Sequence, residues 1–287
     1  MARCQNDNRK GCFGQRHAPV SLLSNPVKMC YTYIMRNFRQ WHDEGTNEFH
    51  SETTVYFSQC NVTKRLSFYE LLRLTSDCAV DDFAQRGMDR EMLLKNNCAI
   101  LVSRVAFRIH DMPHENEHIT INTWEEKSER FQFRRAYEIN DTDTNKNLVS
   151  GMSTWMLVEP KERKLIAIEE FKLRQPTERE EQHDCLMPGR IRLPEQATVV
   201  GERKILYNDI DCNGHVNNAR YGAFVTDCLL PEWQKLNFTD YRLNYAREAL
   251  PGDTLTMWAY NDEAAKKITI AGKRDKETSF ESELYYE

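Results

Sequence analysis

The chain has 287 residues, of which 40% are hydrophobic and 29% are charged, with 11 glycines and 9 prolines. These values match ordinary globular proteins and exclude a collagen-like or wholly disordered chain. The formal net charge of −5 provides no basic footprint, which argues against nucleic-acid binding. No apolar run reaches the roughly 18–20 residues of a membrane-spanning helix, so we expect no membrane span.

The first 40 residues differ from the rest in charge. They carry seven Lys or Arg and one acid, but they lack the apolar core of a secretory signal and have few serines. We therefore predict that residues 1–47 are a poorly ordered or non-core extension, that plastid targeting by residues 1–40 is absent, and that the protein is cytoplasmic. The 9 cysteines include no CxxC pair and no Cys/His group with the spacing of a zinc site, so we expect reduced thiols and no metal site.

The first predicted unit covers residues 48–165 and begins with a β-rich segment, Thr53–Cys60. A helix of about five turns follows, because Ser67 and Glu70 fit a capping box and Gly87 is a natural stop. Its core-facing positions recur with helical periodicity: Phe68, Leu71, Leu72, Thr75, Ala79 and Phe83.

Four segments rich in β-branched and aromatic residues follow this helix: Ala99–Ile109, His118–Trp124, Phe131–Ile139 and Leu148–Val158. The connections between them are too short for crossover helices, so neighbouring strands must pair antiparallel. The sequence therefore predicts a curved antiparallel sheet wrapped around one helix.

Residues 166–197 contain three prolines and a charged run, and we interpret them as a linker. The same order then returns in residues 198–287: a strand, Thr198–Tyr207, a polar turn, Asp209–Asn218, and a helix, Ala219–Leu230, capped by Asn217 or Asn218. Four more strands are predicted at Tyr241–Ala249, Thr254–Tyr260, Lys267–Gly272 and Phe280–Tyr286. Pro113 and Pro251 occupy similar turns, which favours an α+β fold built from two similar units.

The polar turn concentrates groups suited to catalysis directly before a helix. The free N–H groups and positive dipole end of a helix suit a developing oxyanion. Asp211 lies near His215 in the sequence, and a carboxylate can orient and tune an imidazole. A polar helix cap with an Asx turn is the alternative for any one of these residues.

Together, however, the residues Asp211 to Tyr221 follow the pattern D-x-N-x-H-V-N-N-x-x-Y. This pattern resembles the signature of hot-dog-fold thioesterases, and most closely that of the acyl-acyl carrier protein thioesterases. Further similarity lies in Leu243–Glu248, which resembles the family's L-x-Y-x-R-E segment, and in Ser103–Val105, Thr123-Trp124 and Thr154–Leu157. The resemblance covers residues 48–287 and implies two tandem hot-dog units, each a curved antiparallel sheet wrapped around a long helix.

The resemblance implies an enzyme that hydrolyses the thioester of acyl-acyl carrier protein, releases a free fatty acid and ends fatty acid synthesis. Its catalytic residues would be Asp211, Asn213, His215 and Glu248. We expect Glu248 to act as the general base on water, and strand alternation predicts that it shares a face with Asn244 and Ala246. Backbone N–H groups of residues 217–219 are candidate oxyanion donors. The substrate carries its own phosphopantetheine, so we expect no cofactor.

Two departures from the family limit the mechanism. Many plant members have a Cys directly after the Glu, where this chain has Ala249. The corresponding turn of the first half, Asn61–Ser67, has no His and no acid, so we predict a single site in the second half. Cys212, inside the motif, is an alternative nucleophile.

The resemblance also implies an acyl-chain slot in the first half and a basic surface for the acidic carrier protein. Residues that line the slot or simply form the core are Phe107, Ile121, Trp124, Phe131 and Phe133. The densest basic cluster, which is either a docking surface or a solvated strand face, is Lys127, Arg130, Arg134 and Arg135. A homodimer is left open.

Three other functions remain as alternatives. An acyl-CoA thioesterase of the same fold is the nearest, because the GHVNN core also occurs in such enzymes. A hydroxyacyl dehydratase would need a G-H-F-P-type turn that the sequence lacks. A non-catalytic acyl-binding regulator would need an appended DNA-binding module, and residues 1–40 show no helix-turn-helix pattern.

Overall fold

The computed structural model describes residues 38–46, 48–171, 178–179 and 184–287. The expectations for residues 1–37, and for the linker between residues 172 and 183 except 178–179, lie outside this part of the chain. The strands are β1 Arg39–His42, β2 Phe49–Thr54, β3 Ala99–Ile109, β4 His118–Glu126, β5 Phe133–Asp141, β6 Asn147–Glu159, β7 Lys164–Leu165, β8 Glu178–Arg179, β9 Thr198–Lys204, β10 Phe238–Tyr245, β11 Thr254–Asp262, β12 Lys267–Arg274 and β13 Glu277–Tyr286. The α-helices are α1 Phe68–Gln85, α2 Arg90–Lys95 and α3 Arg220–Asp227.

All thirteen strands belong to one mostly antiparallel sheet. The main order is β1-β2-β4-β5-β6-β3-β10-β13-β12-β11-β9, and β3 pairs with β10 where the two halves meet. Reading outward from this seam gives the same connectivity on each side, because β10-β13-β12-β11-β9 repeats β3-β6-β5-β4-β2. The predicted antiparallel sheets and the predicted repeat of element order are therefore both present, and the halves share one continuous sheet.

Backbone hydrogen bonds show the repeat residue by residue. Ser67 N–H donates to Gln59 O and Asn217 N–H donates to Asp209 O, which sets an offset of 150 residues. After the helices the offset changes. Leu66 N–H donates to Pro113 O, as Val216 N–H donates to Ala249 O. Pro113 therefore occupies the position equivalent to Ala249. The prediction that Pro113 and Pro251 are equivalent residues of the two halves is wrong by two positions.

Helix α1 forms as its sequence predicts, with one difference at its start. The Ser67 hydroxyl accepts the Glu70 N–H at 3.3 Å, and all the predicted core-facing positions are buried. The Glu70 carboxylate does not complete a capping box, since it accepts from Gln59 at 3.0 Å and from Arg73 at 2.8 Å. Each large apolar side chain buried in this way contributes about 1.5–3 kcal/mol, so the stripe holds α1 against the sheet.

Several predicted elements end earlier than their sequence pattern. The strand predicted over Thr53–Cys60 leaves the sheet after Thr54 and becomes a 3₁₀ turn at Phe57–Gln59. The second half repeats this with a 3₁₀ turn at Tyr207–Asp209. Helix α3 is only 8 residues long, shorter than predicted, because its last turn tightens: Cys228 N–H donates to Val225 O and Leu229 N–H donates to Thr226 O.

Helices α1 and α3 cross close to their first turns. A Cβ added at Gly222 would lie 2.8 Å from the backbone of Phe68 and Tyr69. Only a glycine permits this approach, because backbone atoms cannot rotate aside as a side chain can. Gly222 thus fixes the position of α3 relative to the first half.

A buried group of charges lies between α1 and strands β4 and β5. Arg135 is fully buried and donates to Asp82 at 2.6 Å, and Arg86 reaches both Asp82 and Glu125 at 2.6 Å. His42 on β1 contacts the same Asp82 at 2.9 Å. The prediction that Arg135 belongs to a surface basic cluster is therefore wrong, because alternation along β5 turns it inward.

Among the described residues, no helix is long and apolar enough to cross a membrane.

Candidate active site

The polar turn is a tight hairpin closed by backbone hydrogen bonds. Ile210 and Val216 form a β-bridge, Asp211 N–H donates to His215 O at 3.0 Å, and Gly214 supplies the positive φ of 86° that the turn requires. The hairpin brings Asp211 and His215 next to each other across the bridge.

Asp209 anchors the turn and takes no part in the polar surface. It is buried and accepts from the Leu206 N–H, Arg203 and Arg220. Burial alone would raise the pKa of Asp209, but these donors outweigh it and hold that pKa below its usual value. Asp209 therefore stays ionised and holds the start of α3.

The three motif residues of the turn contact one another. The Asp211 carboxylate accepts the Asn213 N–H at 2.8 Å, and the Asn213 amide nitrogen lies 3.4 Å from the same carboxylate. His215 Nδ1 lies 3.9 Å from Asp211 Oδ1. Asp211 and His215 are half-buried, whereas Asn213 is exposed. The carboxylate thus stands between the amide and the imidazole.

Glu248 reaches the site from a loop, because β10 ends at Tyr245. The Ser279 carbonyl accepts from both Ala246 N–H and Arg247 N–H, and Ala249 O accepts from Val216 N–H. This loop places Glu248 Oε1 3.9 Å from His215 Nε2. The prediction that Glu248 shares a strand face with Asn244 and Ala246 is wrong, but all four predicted residues come together.

Two arginines of the first half complete the site, and the sequence did not indicate either of them. Arg163 Nη2 lies 2.6 Å from Glu248 Oε2. Arg90, the first residue of α2, directs Nε and Nη2 to Asn213 Oδ1, each at 3.3 Å. The sequence separations are 85 and 123 residues, so no local motif could have revealed these contacts.

The predicted oxyanion donors of the helix start are partly occupied. Asn217 N–H donates to Asp209 O, and Ala219 N–H donates to Asn217 Oδ1 at 2.9 Å. Neither group can therefore stabilise an oxyanion without breaking the turn. The prediction that Asn217 or Asn218 caps the helix is wrong, because the cap position is Ala219, which has no side-chain cap, and the Asn217 side chain instead closes an Asx turn just before it. Cys212 lies at the exposed tip of the turn.

The first half has the same hairpin but lacks the His and Glu side chains of the second. Asn61 accepts the Thr63 N–H at 2.9 Å, as Asp211 accepts the Asn213 N–H, and Cys60 and Leu66 form the equivalent bridge. By the offset of 150 residues, Arg65 corresponds to His215, and by the later offset Met112 corresponds to Glu248. The prediction of a single polar site agrees with this geometry.

The residues proposed for the acyl slot are mostly core residues. Phe107, Ile121, Trp124 and Phe133 are buried, and Phe131 is half-buried. Phe107 packs directly on Gly151, where a Cβ would lie 2.3 Å from its ring. The Trp124 indole N–H donates to Glu126 at 2.7 Å.

A doubled sheet with one polar site of two carboxylates, an imidazole and an amide is a framework suited to activating water for hydrolysis. The sequence matches the acyl-ACP thioesterase N-terminal domain over residues 46–173 and the acyl-ACP thioesterase C-terminal domain over residues 194–283. The chain belongs to the acyl-ACP thioesterase family.

Individual relatives agree with this assignment. Over 167 residues the chain is 26% identical to a chloroplastic acyl-[acyl-carrier-protein] hydrolase from Cuphea viscosissima, covering 54% of this chain and 40% of the relative. A chloroplastic palmitoyl-acyl carrier protein thioesterase from Cuphea hookeriana is 27% identical, covering 54% of this chain and 39% of the relative. The match thus spans less than half the length of these relatives. The crystal structure of an acyl-ACP thioesterase from Bacteroides thetaiotaomicron superposes with a TM-score of 0.77 at 23% identity, covering 84% of this chain and 98% of that one.

Proposed function

We propose that this protein hydrolyses the thioester of acyl-acyl carrier protein and releases a free fatty acid. The observation that carries the proposal is the continuous series of contacts Asn213–Asp211–His215–Glu248. Two carboxylates that flank an imidazole supply a base, a proton carrier and an orienting group within one turn and one loop. Family membership and the names of the relatives support the substrate class.

In the proposed reaction, Glu248 takes a proton from water while the water oxygen attacks the thioester carbonyl carbon. The resulting oxyanion then collapses, the carbon–sulfur bond breaks, and the proton passes to the departing thiolate. His215 lies between Glu248 and Asp211 and can position the water or carry this proton. The 3.9 Å separations are longer than hydrogen bonds, which is common in a site without substrate.

Asn213 is the best candidate for the oxyanion donor. Its Oδ1 accepts from Arg90, so its Nδ2 faces the other way, toward Asp211. The Nδ2 group carries two hydrogens, so one can donate to Asp211 while the other donates to an oxyanion. Its role therefore replaces that of the backbone N–H groups of Asn217 and Ala219, which already have acceptors.

The repeated strand order and the helix α1 against the first half of the sheet support the interpretation as two tandem hot-dog units. In this proposal the second unit is catalytic and the first unit accommodates the acyl chain. The four buried side chains Phe107, Ile121, Trp124 and Phe133 would then need to separate around the chain. Enlarging or filling this region should change the chain-length profile of the released acids.

The decisive experiment compares Glu248→Gln and His215→Ala with the unchanged protein on acyl-acyl carrier protein. General base or acid catalysis contributes about 10²–10⁴-fold, so each variant should lose at least about 100-fold in kcat. Glu232→Gln, which alters an exposed carboxylate elsewhere in the second half, is the matched control. Near-normal hydrolysis by both site variants would refute the assignment.

The nearest alternative is hydrolysis of acyl-CoA, and a docking surface distinguishes the two. Lys127 and Arg130 are exposed, whereas Arg134 pairs with Glu129. Reversing the charge of Lys127 and Arg130 together should raise KM for acyl-acyl carrier protein and leave KM for matched acyl-CoA unchanged, because CoA lacks the acidic protein surface. Equal effects on both substrates, or none, would instead favour a solvated strand face.

The cytoplasmic location and the homodimer stay predictions of this proposal. The Cuphea viscosissima relative is described as chloroplastic, so location needs direct measurement with a full-length fluorescent fusion. Sedimentation of the purified chain determines the oligomeric state.

A further inference from the structure

The turn between β1 and β2 brings together two carboxylates and an imidazole. Asp43 and Glu48 lie on the two sides of the turn, where Asp43 N–H donates to Glu48 O at 2.9 Å. His50 follows on β2, and one ligand atom from each of the three side chains lies within 4.8 Å of the others. This cluster is separate from the polar turn of the second half and has no part in the proposed reaction.

His50 is held so that one specific nitrogen faces the carboxylates. Its Nδ1 lies 2.8 Å from Asn122 Oδ1, directly across the β2–β4 pairing. Because Oδ1 only accepts, Nδ1 carries the proton and the neutral ring presents the lone pair of Nε2. This is the arrangement that second-sphere groups impose on metal-binding histidines.

His50 is only 9% exposed. Its Nε2 atom is buried and has no hydrogen-bond partner among the residues described by the structure. Asp43 Oδ2 lies 3.1 Å from it, but this oxygen is off the axis along which an N–H would point. When the ring is neutral, the Nε2 lone pair and the Asp43 carboxylate repel each other, and a cation held between them would remove this repulsion.

The separation of the two atoms fits a metal ion. Nitrogen and oxygen ligands that each lie about 2.1 Å from a metal, at an angle near 95°, are about 3.1 Å apart. A metal on the ring axis would therefore bind the off-axis oxygen at a normal length. We propose that Asp43, Glu48 and His50 bind a divalent metal ion, of the class from Mn²⁺ to Zn²⁺, that closes the β1–β2 turn.

The ligand set explains why cysteine and histidine spacing did not reveal this site. One imidazole and two carboxylates suit first-row divalent ions, and the remaining positions stay open to water. Trp41 stacks on the His50 ring with centroids 4.8 Å apart, so the ring is fixed from a second direction. The site would rigidify the hairpin that leads into the sheet.

The test uses the full chain and Mn²⁺, which avoids the thiolates that softer ions prefer. Titration followed by the electron paramagnetic resonance signal of free Mn²⁺ should reveal one bound ion. Asp43→Asn and His50→Gln should each weaken binding at least about tenfold, and nitrogen coupling in the bound Mn²⁺ spectrum should disappear in His50→Gln. Glu44→Gln removes an equal charge from the same exposed turn and should bind like the unchanged protein.

Three outcomes would overturn the proposal: no binding at millimolar Mn²⁺, equal affinity in Asp43→Asn and the unchanged chain, or a bound ion without nitrogen coupling. Asp43 is largely exposed, so Asp43→Asn leaves a folded protein to measure even if His50→Gln is unstable. Circular dichroism shows whether each variant is folded. The readouts do not depend on hydrolysis, so a failure of the thioesterase proposal would leave them interpretable.

Discussion

Arg163 Nη2 lies 2.6 Å from Glu248 Oε2 and joins a turn of the first half to the proposed base in the second. The other carboxylate oxygen, Oε1, remains directed at His215. Arg163 occupies a left-handed backbone position, with φ of 55°, and its side chain is 77% exposed. The pair therefore orients Glu248 from the solvent side and leaves its inner oxygen free to accept a proton.

Removing Arg163 should have a modest effect. Exposed ion pairs contribute about 0–1 kcal/mol, which corresponds to less than about tenfold in rate. Arg163→Ala should thus lower kcat/KM by less than about tenfold, far less than Glu248→Gln, and high salt should narrow the difference from the unchanged protein. Steady-state hydrolysis at two ionic strengths measures this. A loss as large as that of Glu248→Gln would show that Arg163 itself acts on the substrate.

Arg90 should act only through Asn213. Losing one oxyanion donor costs about 10²–10³-fold in kcat, so Asn213→Ala should be severe, whereas Arg90→Leu should lower kcat more mildly and leave KM unchanged. Arg90→Lys keeps a cation and should recover part of the loss.

A double-mutant cycle isolates this coupling. If Arg90 positions the amide, Arg90→Leu adds nothing once Asn213 is alanine. Additive losses in kcat would contradict the positioning role, and a change confined to KM would assign Arg90 to substrate binding.

Cys212 should be dispensable. It lies at the exposed tip of the turn, whereas a nucleophile must lie beside its base. Cys212→Ser should keep kcat within about twofold, since surface changes of this kind are nearly neutral. Hydrolysis and mass spectrometry of the protein during turnover measure this. An acyl adduct on Cys212, or a large loss of turnover, would establish covalent catalysis instead.

The sequence could predict what short-range patterns determine. The Ser67 cap and the apolar stripe of α1 depend on residues three or four positions apart, and both are present. Glu248 was misplaced because Leu243–Ala249 alternates like a strand. The actual course depends on Ser279 of the neighbouring strand β13, whose carbonyl oxygen accepts the N–H groups of both Ala246 and Arg247.

Long-range partners explain the other differences. From the sequence alone, Arg135 is predicted to lie on a basic surface. In the structure it is buried, and its counter-charge Asp82 lies 53 residues away in the chain. Arg90 and Arg163 likewise join the site only after the two halves share a sheet. No spacing in the sequence encodes these contacts, although period-2 alternation along β5 would have turned Arg135 inward.

The buried charge group should dominate the acid sensitivity of the fold. Burial would raise the pKa of Asp82, but Arg135, Arg86 and His42 outweigh it and hold the pKa below its usual value. Ionised Asp82 therefore stabilises the folded state at pH values above its unfolded pKa of about 3.9. This stabilisation is lost as the pH falls through the lower pKa of Asp82 in the folded state. Below about pH 4 the free energy of unfolding should decline.

Asp82→Asn tests this group directly. It removes the nearer counter-charge of the fully buried Arg135 and leaves only Glu125, 3.8 Å away; breaking a buried ion pair typically costs about 3–5 kcal/mol. The variant should also lose part of the acid dependence. Asp275→Asn, at an exposed turn residue, is the control and should unfold like the unchanged protein. Urea unfolding at pH 4 and pH 7 measures both effects, and a cost below about 1 kcal/mol would place Asp82 among ordinary surface charges.

Gly222 should be required for the register of the two halves. A Cβ there would lie 2.8 Å from backbone atoms of Phe68 and Tyr69, so Gly222→Ala must move α3 away from α1. Overpacking of this kind costs about 1–3 kcal/mol. Because α3 begins directly after the polar turn, the shift should also separate His215 from Glu248 and lower kcat.

The matched control is Gly201→Ala on β9, where nothing lies within 4 Å of an added Cβ. That variant should be neutral or slightly more stable, since alanine restricts the unfolded chain. Urea unfolding and hydrolysis of both variants measure the contrast. Equal stability of the two would mean that α3 adjusts without cost. In that case the helix crossing does not position the site, and the hairpin bridge between Ile210 and Val216 must do so alone.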